Sequence, residues 1–199
     1  MTKRWLPIAA VALPALALAG IGLAHPTLLN PGTAEWWTTL HLVLVPVFPL
    51  LAVSVWVLLR HDRTAVGWGG RVAATTYVVF YTALDAVSGI ATGTVVRAGE
   101  AADSDVVGAL FAAGNLLGHV GGYAFFVAVI LVLGSAWRGG ARGWTIYAAA
   151  PILLVAGYLF TTSHIYWPKG GLTMIASAVG FVLVELTPRA SSATRSIRP

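Results

Sequence analysis

The stretch VGALFAAGNLLGHVGGYAFFVAVILVLGSAW, residues 107–137, decides the fold of this chain. It contains no Asp, Glu, Lys or Arg, and an apolar run of about 18 residues or more is typical of a helix that crosses a bilayer. The run is longer than the roughly 20 residues that the hydrocarbon core requires. We therefore expect its first turns to lie at the membrane interface or the whole helix to tilt.

Five further apolar runs flank this one, and together they predict six membrane spans. Their approximate ranges are 5–24, 36–59, 72–96, 107–137, 144–163 and 171–186. The composition agrees, because 10% of the residues are charged and 58% are hydrophobic, whereas soluble domains carry roughly 25% charged residues. We predict an all-α polytopic membrane protein, a bundle of six transmembrane helices in one domain (1–188), followed by a polar, basic and disordered tail (189–199).

The placement of basic residues predicts the orientation of the bundle. Lys and Arg are enriched on the cytoplasmic side of membrane proteins. Arg97 and Lys169 are the basic residues at one set of span ends. The opposite set holds Lys3, Arg4, Arg60, Arg63, Arg71, Arg138, Arg142, Arg189, Arg195 and Arg198. We therefore expect a plasma-membrane protein with both termini in the cytoplasm, whose net charge of +5 reflects the lipid bilayer as partner and no nucleic acid.

The first run has a second interpretation, as a secretory signal peptide that ends before His25. Basic residues, an apolar run and the small residues Gly22 to Ala24 fit that pattern, although the run exceeds the 7–15 residues of a typical signal. We favour an uncleaved helix, with His25 and His61 as loop residues. After cleavage five helices would remain, and the amine and imidazole of His25 could chelate copper.

The chemistry open to this chain is limited by its composition. It has no Cys, which excludes disulfides, thiolate metal sites and Cys nucleophiles. No HExxH, GxSxG or P-loop motif is present. Candidate functional groups are therefore the ionisable residues in the spans, because placing such a group at the bilayer centre costs about 2.5–3.5 kcal/mol and usually serves a function.

Four such groups lie at similar depth. At a rise of 1.5 Å per residue, His41 is about 28 Å above Arg60, and His119 is about 28 Å above Arg138. Asp85 lies about 21 Å and His164 about 33 Å above the arginines that flank their spans. All four are thus expected in the outer half of the membrane.

The residues around these groups predict which faces turn inward. Asp85 shares a polar helix face with Tyr77, Tyr81, Ser88 and Thr92. On the fourth span, Asn115, His119 and Tyr123 repeat every four residues, and we expect Asp85 and His119 to face the interior. Beside them lies a ridge of small residues that permits close packing or formation of a homo-oligomer, namely Gly114, Gly118 and Gly122.

Three kinds of chemistry fit this set. First, His41 and His119 could be the axial ligands of a b-type haem. Second, His41, His119 and His164 could bind zinc or copper, with Asp85 as the catalytic base. Third, the polar groups could act without a cofactor, in a small proton-coupled transporter, in a membrane assembly factor, or in an acid/base enzyme for a lipid or isoprenoid.

We favour a metal ion or haem in a site open to a lipid-soluble or periplasmic substrate. Asn115, Tyr81, Tyr123 and Ser88 are the predicted supporting residues. The sequence leaves open whether the protein is an enzyme.

Overall fold

The computed structural model describes residues 5–188, which form helices and, within that range, no strand. A π-helical turn, Asp85–Ala91, joins the fourth helix to the fifth. The α-helices are α1 (Trp5–Gly22), α2 (Ala34–Val47), α3 (Leu50–Leu58), α4 (Ala65–Leu84), α5 (Thr92–Arg97), α6 (Asp105–Arg138), α7 (Trp144–Ser163) and α8 (Lys169–Leu186).

These helices form six segments that are long and apolar enough to cross a membrane, as predicted. The segments are Trp5–Gly22, Ala34–Leu58, Ala65–Arg97, Asp105–Arg138, Trp144–Ser163 and Lys169–Leu186. The third begins at Ala65 and not near residue 72, because Arg71 is accommodated inside its first turns by donating hydrogen bonds to the carbonyls of Asp62 and Leu59. The predicted tail, 189–199, lies outside the described residues.

The second span is divided between α2 and α3 by two prolines. Pro46 lies in the last turn of α2, and Pro49 directly precedes α3. Neither has a backbone N–H to donate, so the helical hydrogen bonding is interrupted there. Pro14 and Pro151, by contrast, lie inside unbroken helices, as membrane helices tolerate.

The bundle is held by apolar packing between neighbouring spans. α4 packs against α6, while α8 packs against both α1 and α7. The large side chains at the centre are fully buried and aromatic or aliphatic, among them Tyr77, Phe48, Phe125, Phe160 and Phe181. The outward faces carry exposed apolar residues such as Leu116 and Val155, which suits contact with lipid.

The predicted ridge of small residues is filled by the chain's own spans. A methyl group at Gly114 would collide with Ser88, one at Gly118 would press on Leu84, and one at Gly122 would press on Thr161. These glycines therefore let α6 approach the third and fifth spans closely. Self-association of the protein stays a prediction.

Charged residues are tied together at one end of the bundle. The guanidinium of Arg60 donates two hydrogen bonds to the carboxylate of Glu185, at 2.6 and 2.8 Å. At the same end, the hydroxyl of Ser135 donates to Asp62. These contacts join the end of the second span to the ends of α6 and α8. The histidines described below lie at the opposite end of the bundle.

Candidate metal centre

Three histidines meet at the end of the bundle opposite the arginines. They are His25, His41 and His164, each of which offers one ring nitrogen within 4.8 Å of the others. Their ring centroids are 5.0 Å apart for His25 and His41, 5.5 Å for His25 and His164, and 6.3 Å for His41 and His164. We refer to this group as the histidine cluster.

Each member of the histidine cluster comes from a different element. His25 lies in the loop after α1, His41 in the middle of α2, and His164 directly after α7. Two indoles tie these elements together: Trp36 Nε1 donates to the carbonyl of Ala24, and Trp167 Nε1 donates to that of Ala19, each at 2.8 Å.

In all three rings the Nδ1 atom is engaged in a hydrogen bond. Nδ1 of His41 lies 2.7 Å from the Trp37 carbonyl oxygen, and Nδ1 of His25 lies 2.8 Å from that of Pro26. Since a carbonyl can only accept, both Nδ1 atoms donate, and Nε2 carries the lone pair. Nδ1 of His164 is bonded to the Tyr81 hydroxyl at 2.9 Å. A bond to a carbonyl fixes both the tautomer and the direction of a metal-binding histidine, and the bond to the hydroxyl fixes the direction of the His164 ring.

The backbone of His164 adopts a positive φ angle. Its φ of 44° is uncommon for a residue other than glycine and costs free energy. The side chain is held in return by Tyr81 and by ring contacts with Phe48 at 5.2 Å and Tyr166 at 5.3 Å. The strained backbone turns the His164 ring toward His25 and His41.

Burial favours the neutral form of the two members of the histidine cluster that lie outside the spans, His25 and His164. His25 and His41 are 7% and 3% exposed. Loss of hydration lowers the pKa of His25, and it lowers the pKa of His164 well below the usual value, with the other two histidines adding to the effect. Neutral imidazole is the form that binds a metal.

A cavity of about 220 Å³ opens beside the histidine cluster. Asp85 lies on its wall, 1% exposed. Burial and the nearby Asp85 carboxylate raise the pKa of Tyr166, also on the wall, to about 12. The remaining lining residues are Trp37, His41, Tyr81, Leu84, Ser88, Phe111, Asn115, Gly118, His119, Phe160, Thr161, Thr162, Ser163 and His164.

The π-helical turn brings the polar residues of the third span to this cavity. It begins at Asp85 and includes Ser88, and both side chains line the wall. Trp37 Nε1 donates to the carbonyl of Ser88 at 3.2 Å. Gly89 lies against the His41 ring so closely that a methyl group there would overlap it. π-helical turns are rare and occur frequently at functional sites.

The structure brings most of the predicted site residues together. His41 and His164 belong to the histidine cluster, while Tyr81, Asp85 and Ser88 line its cavity. The predicted polar face of the third span is buried, as expected.

The expectation that His119 faces the interior is wrong. α6 turns its glycines inward, so His119 and Asn115 are exposed and lie at the rim of the cavity. Tyr123, 56% exposed, is not among the lining residues. The predicted haem and metal roles of His119 stay predictions, and His119 is not part of the histidine cluster.

His25 and Trp37 lie at this site but were not among the predicted site residues, and His25 was considered as a ligand only if the first span is cleaved. His25 was expected in a loop, but a signal was present, because it follows the first span at the same end of the bundle as His164. Trp37 lies near the start of the second predicted span, a position typical of aromatic residues at the membrane interface. It is instead 3% exposed and packs 5.0 Å from the His41 ring.

No protein-family model, curated protein or solved structure matches this chain.

Proposed function

We propose that this multipass membrane protein binds a divalent transition metal ion, zinc foremost, through Nε2 of His25, His41 and His164. The observation that carries the proposal is the convergence of three imidazoles, two of them buried and that of His164 half-buried, whose Nδ1 atoms are all held by hydrogen bonds. His25 Nε2 is buried and has no hydrogen-bond partner among residues 5–188. A metal ion would satisfy it.

The spacing of the ring nitrogens supports this assignment. With zinc–nitrogen bonds of about 2.05 Å, three nitrogens of a tetrahedral site lie roughly 3.4 Å apart. Nitrogens 4.8 Å apart or less reach that geometry when each moves by about 0.8 Å or less. Small side-chain rotations supply such a shift.

The ligand set favours zinc and leaves one position for substrate. Three protein ligands with an open fourth position are characteristic of catalytic zinc, and here the cavity adjoins the histidine cluster. Imidazole also suits copper, nickel and iron. A haem between His41 and His164 is less well supported, because His25 packs edge-on against both rings and occupies the space that its porphyrin would need. The predicted haem with His41 and His119 as axial ligands stays a hypothesis.

We also propose that the centre lies on the outer side of the plasma membrane, with both termini in the cytoplasm. Arg60, Arg63, Arg71, Arg138 and Arg142 all belong to span ends opposite the histidine cluster, which agrees with the enrichment of basic residues in the cytoplasm.

Metal analysis of the detergent-purified protein tests the proposal, with variants at all five histidines of the chain. We expect one zinc per chain in the wild type, and its loss in His25→Ala, His41→Ala and His164→Ala. The matched controls His61→Ala and His119→Ala should retain it. Added zinc should raise the Tm of the wild type and of both controls only.

Two outcomes would contradict the metal centre. A metal-free protein whose Tm does not respond to zinc, copper or nickel would favour the transporter, the assembly factor or the acid/base enzyme. A Soret band in the visible spectrum that disappears in His41→Ala and His119→Ala would establish the haem.

A further inference from the structure

The buried polar atoms that lack a partner are concentrated around one cavity. In the part of the chain that the structure describes, residues 5–188, they are His25 Nε2, both carboxylate oxygens of Asp85 and the hydroxyl of Ser88. Asp85 and Ser88 line the cavity beside the histidine cluster. Buried groups of this kind normally have a partner, so their grouping indicates that something with hydrogen-bond donors occupies the cavity.

The carboxylate of Asp85 has the most to gain from such a partner. Its surroundings are largely aromatic, with Phe111, Phe160 and Tyr81 on the same cavity wall. A carboxylate buried without a hydrogen bond or a countercharge is expensive, and within residues 5–188 no salt bridge reaches Asp85. A positive charge within the cavity would stabilise the ionised form of Asp85.

The proposed metal centre, in turn, lacks a negative charge near the ion. Three neutral histidines leave the two positive charges of the ion uncompensated. Asp85 is the acidic residue among those lining the cavity, but it does not belong to the group of ligand atoms within 4.8 Å of one another. A water that binds the ion and donates a hydrogen bond to Asp85 would bring the positive ion and the unpartnered carboxylate into one arrangement. The ion and one carboxylate together carry a single positive charge, and a proton that moves from this water to Asp85 leaves that sum unchanged.

We propose that Asp85 takes a proton from a water at the open coordination position, so that the centre hydrolyses uncharged acyl esters. This inference rests on the metal centre proposed above. The cavity is large enough for such a water together with a small acyl group, since a water occupies about 30 Å³ of liquid volume.

The reaction balances with water as the only co-reactant. Asp85 accepts the proton of the water, and the hydroxide attacks the carbonyl carbon of the ester, forming a carbon–oxygen bond. The bond from that carbon to the leaving oxygen then breaks, and the alkoxide takes the proton back from Asp85. The products are a carboxylic acid and an alcohol.

The rim of the cavity indicates how an ester would enter. Asn115, His119 and Thr162 are exposed residues of the lining, and the Lys169 ammonium donates to the Thr162 hydroxyl at 3.2 Å. The rim is thus polar and the interior aromatic, which suits an uncharged ester group with a polar neighbour. A negatively charged group deep in the cavity would be repelled by Asp85.

The first test uses Co²⁺ as a spectroscopic replacement for zinc and azide as an anionic probe of the open position. Azide should change the visible spectrum of the cobalt-loaded wild type. Asp85→Asn should bind azide about tenfold more tightly, because the substitution removes a nearby negative charge. Asp103→Asn, which alters an exposed acid in the loop before α6, is the matched control and should match the wild type.

The second test measures hydrolysis by the zinc-loaded full chain with two probes, water-soluble p-nitrophenyl acetate and membrane-borne p-nitrophenyl palmitate. Loss of a positioned proton acceptor typically costs about 10²–10⁴-fold, and we expect a drop of that size in Asp85→Asn but none in Asp103→Asn. A preference for the palmitate assigns a lipid as the source of the ester, and a preference for the acetate assigns a water-soluble compound.

Each failure has a separate meaning. If cobalt and zinc do not bind, the metal centre itself is overturned. If they bind but Asp85→Asn leaves the azide affinity unchanged, Asp85 does not face the open position. If azide binds as expected but the zinc-loaded wild type hydrolyses neither probe, the ester hydrolase is overturned and the metal centre stands.

Discussion

At the scale of single residues, Tyr81 orients one member of the histidine cluster. Its hydroxyl bonds Nδ1 of His164, so it determines which nitrogen of that ring faces His25 and His41. Tyr77, four residues earlier on the same face, is buried in the same way, but its hydroxyl donates to the carbonyl of Phe48 at 3.0 Å. The two tyrosines therefore differ in their hydrogen-bond partner, which is a histidine ring for Tyr81 and a backbone carbonyl for Tyr77.

This difference gives a matched pair of substitutions. Tyr81→Phe should weaken zinc binding about 10–100-fold, the usual effect of losing a hydrogen bond to a metal-ligating histidine. Tyr77→Phe should leave the zinc affinity unchanged, although both variants lose about 1 kcal/mol of stability with the hydrogen bond. Competition with a chelator measures the affinity. Equal affinities in the two variants would mean that Tyr81 does not orient His164.

The buried histidines also predict how stability depends on pH in the metal-free protein. Burial lowers the pKa of His25 and His164 in the folded state, whereas in the unfolded chain they titrate near pH 6.5. Below about pH 6.5 the unfolded state therefore binds more protons, and stability falls as the pH falls.

Thermal unfolding in detergent checks this dependence. The Tm should decrease between pH 7.5 and 5.5, and the decrease should be smaller in His25→Gln, which removes one of the two groups. A variant at the exposed His61 should behave like the wild type. A Tm that is constant over this range would show that the two histidines titrate normally in the folded protein.

The π-helical turn is the element that shapes the cavity. It places Asp85 and Ser88 on one wall and brings Gly89 against the His41 ring. Nothing in the hydropathy of the third span indicates this turn, because a π-helical turn is set by the contacts of its neighbours and not by its composition.

A methyl group at Gly89 tests the fit between this turn and α2. Gly89→Ala should displace the His41 ring, destabilise the protein by about 1–3 kcal/mol as overpacking does, and lower the zinc content. Gly108→Ala is the control, because a methyl group there meets nothing within 4 Å. Thermal unfolding and metal analysis measure both. A Gly89→Ala protein with the zinc content of the wild type would show that the π-helical turn shifts to accommodate the methyl group without displacing His41.

The elements also show what the sequence could predict. The six spans follow from hydropathy, because a bilayer requires long apolar helices wherever they lie in the bundle. Counting along a helix predicted the depth of His41, Asp85 and His164, but it gives no information on which way a side chain points around the axis. His119 was placed on the wrong side for that reason, and His25 was considered as a ligand only after cleavage because it lies beyond the end of a span.

At the scale of the whole molecule, the protein separates its charges between two ends. Arg60 and Glu185 are paired at one end, and the neutral histidine cluster lies at the other. This polarity underlies the proposed orientation and can be tested directly, because the chain has no cysteine of its own.

Single cysteines should therefore report the topology without background. A membrane-impermeant maleimide should label Thr27→Cys, in the exposed loop after α1, in intact cells. Thr64→Cys, exposed at the start of α4, should be labelled only after the membrane is opened. The reverse pattern would place the histidine cluster on the cytoplasmic side.

The three histidines come from the beginning, the first quarter and the last fifth of the chain. During synthesis, His25 and His41 leave the ribosome long before His164, and the site is incomplete until α7 has been inserted and has packed against its neighbours. Loading of the proposed ion is then a late step in biogenesis, after nearly the whole chain has entered the membrane. A truncated chain that stalls after α6 would present two of the three members of the histidine cluster, too few to hold the proposed ion.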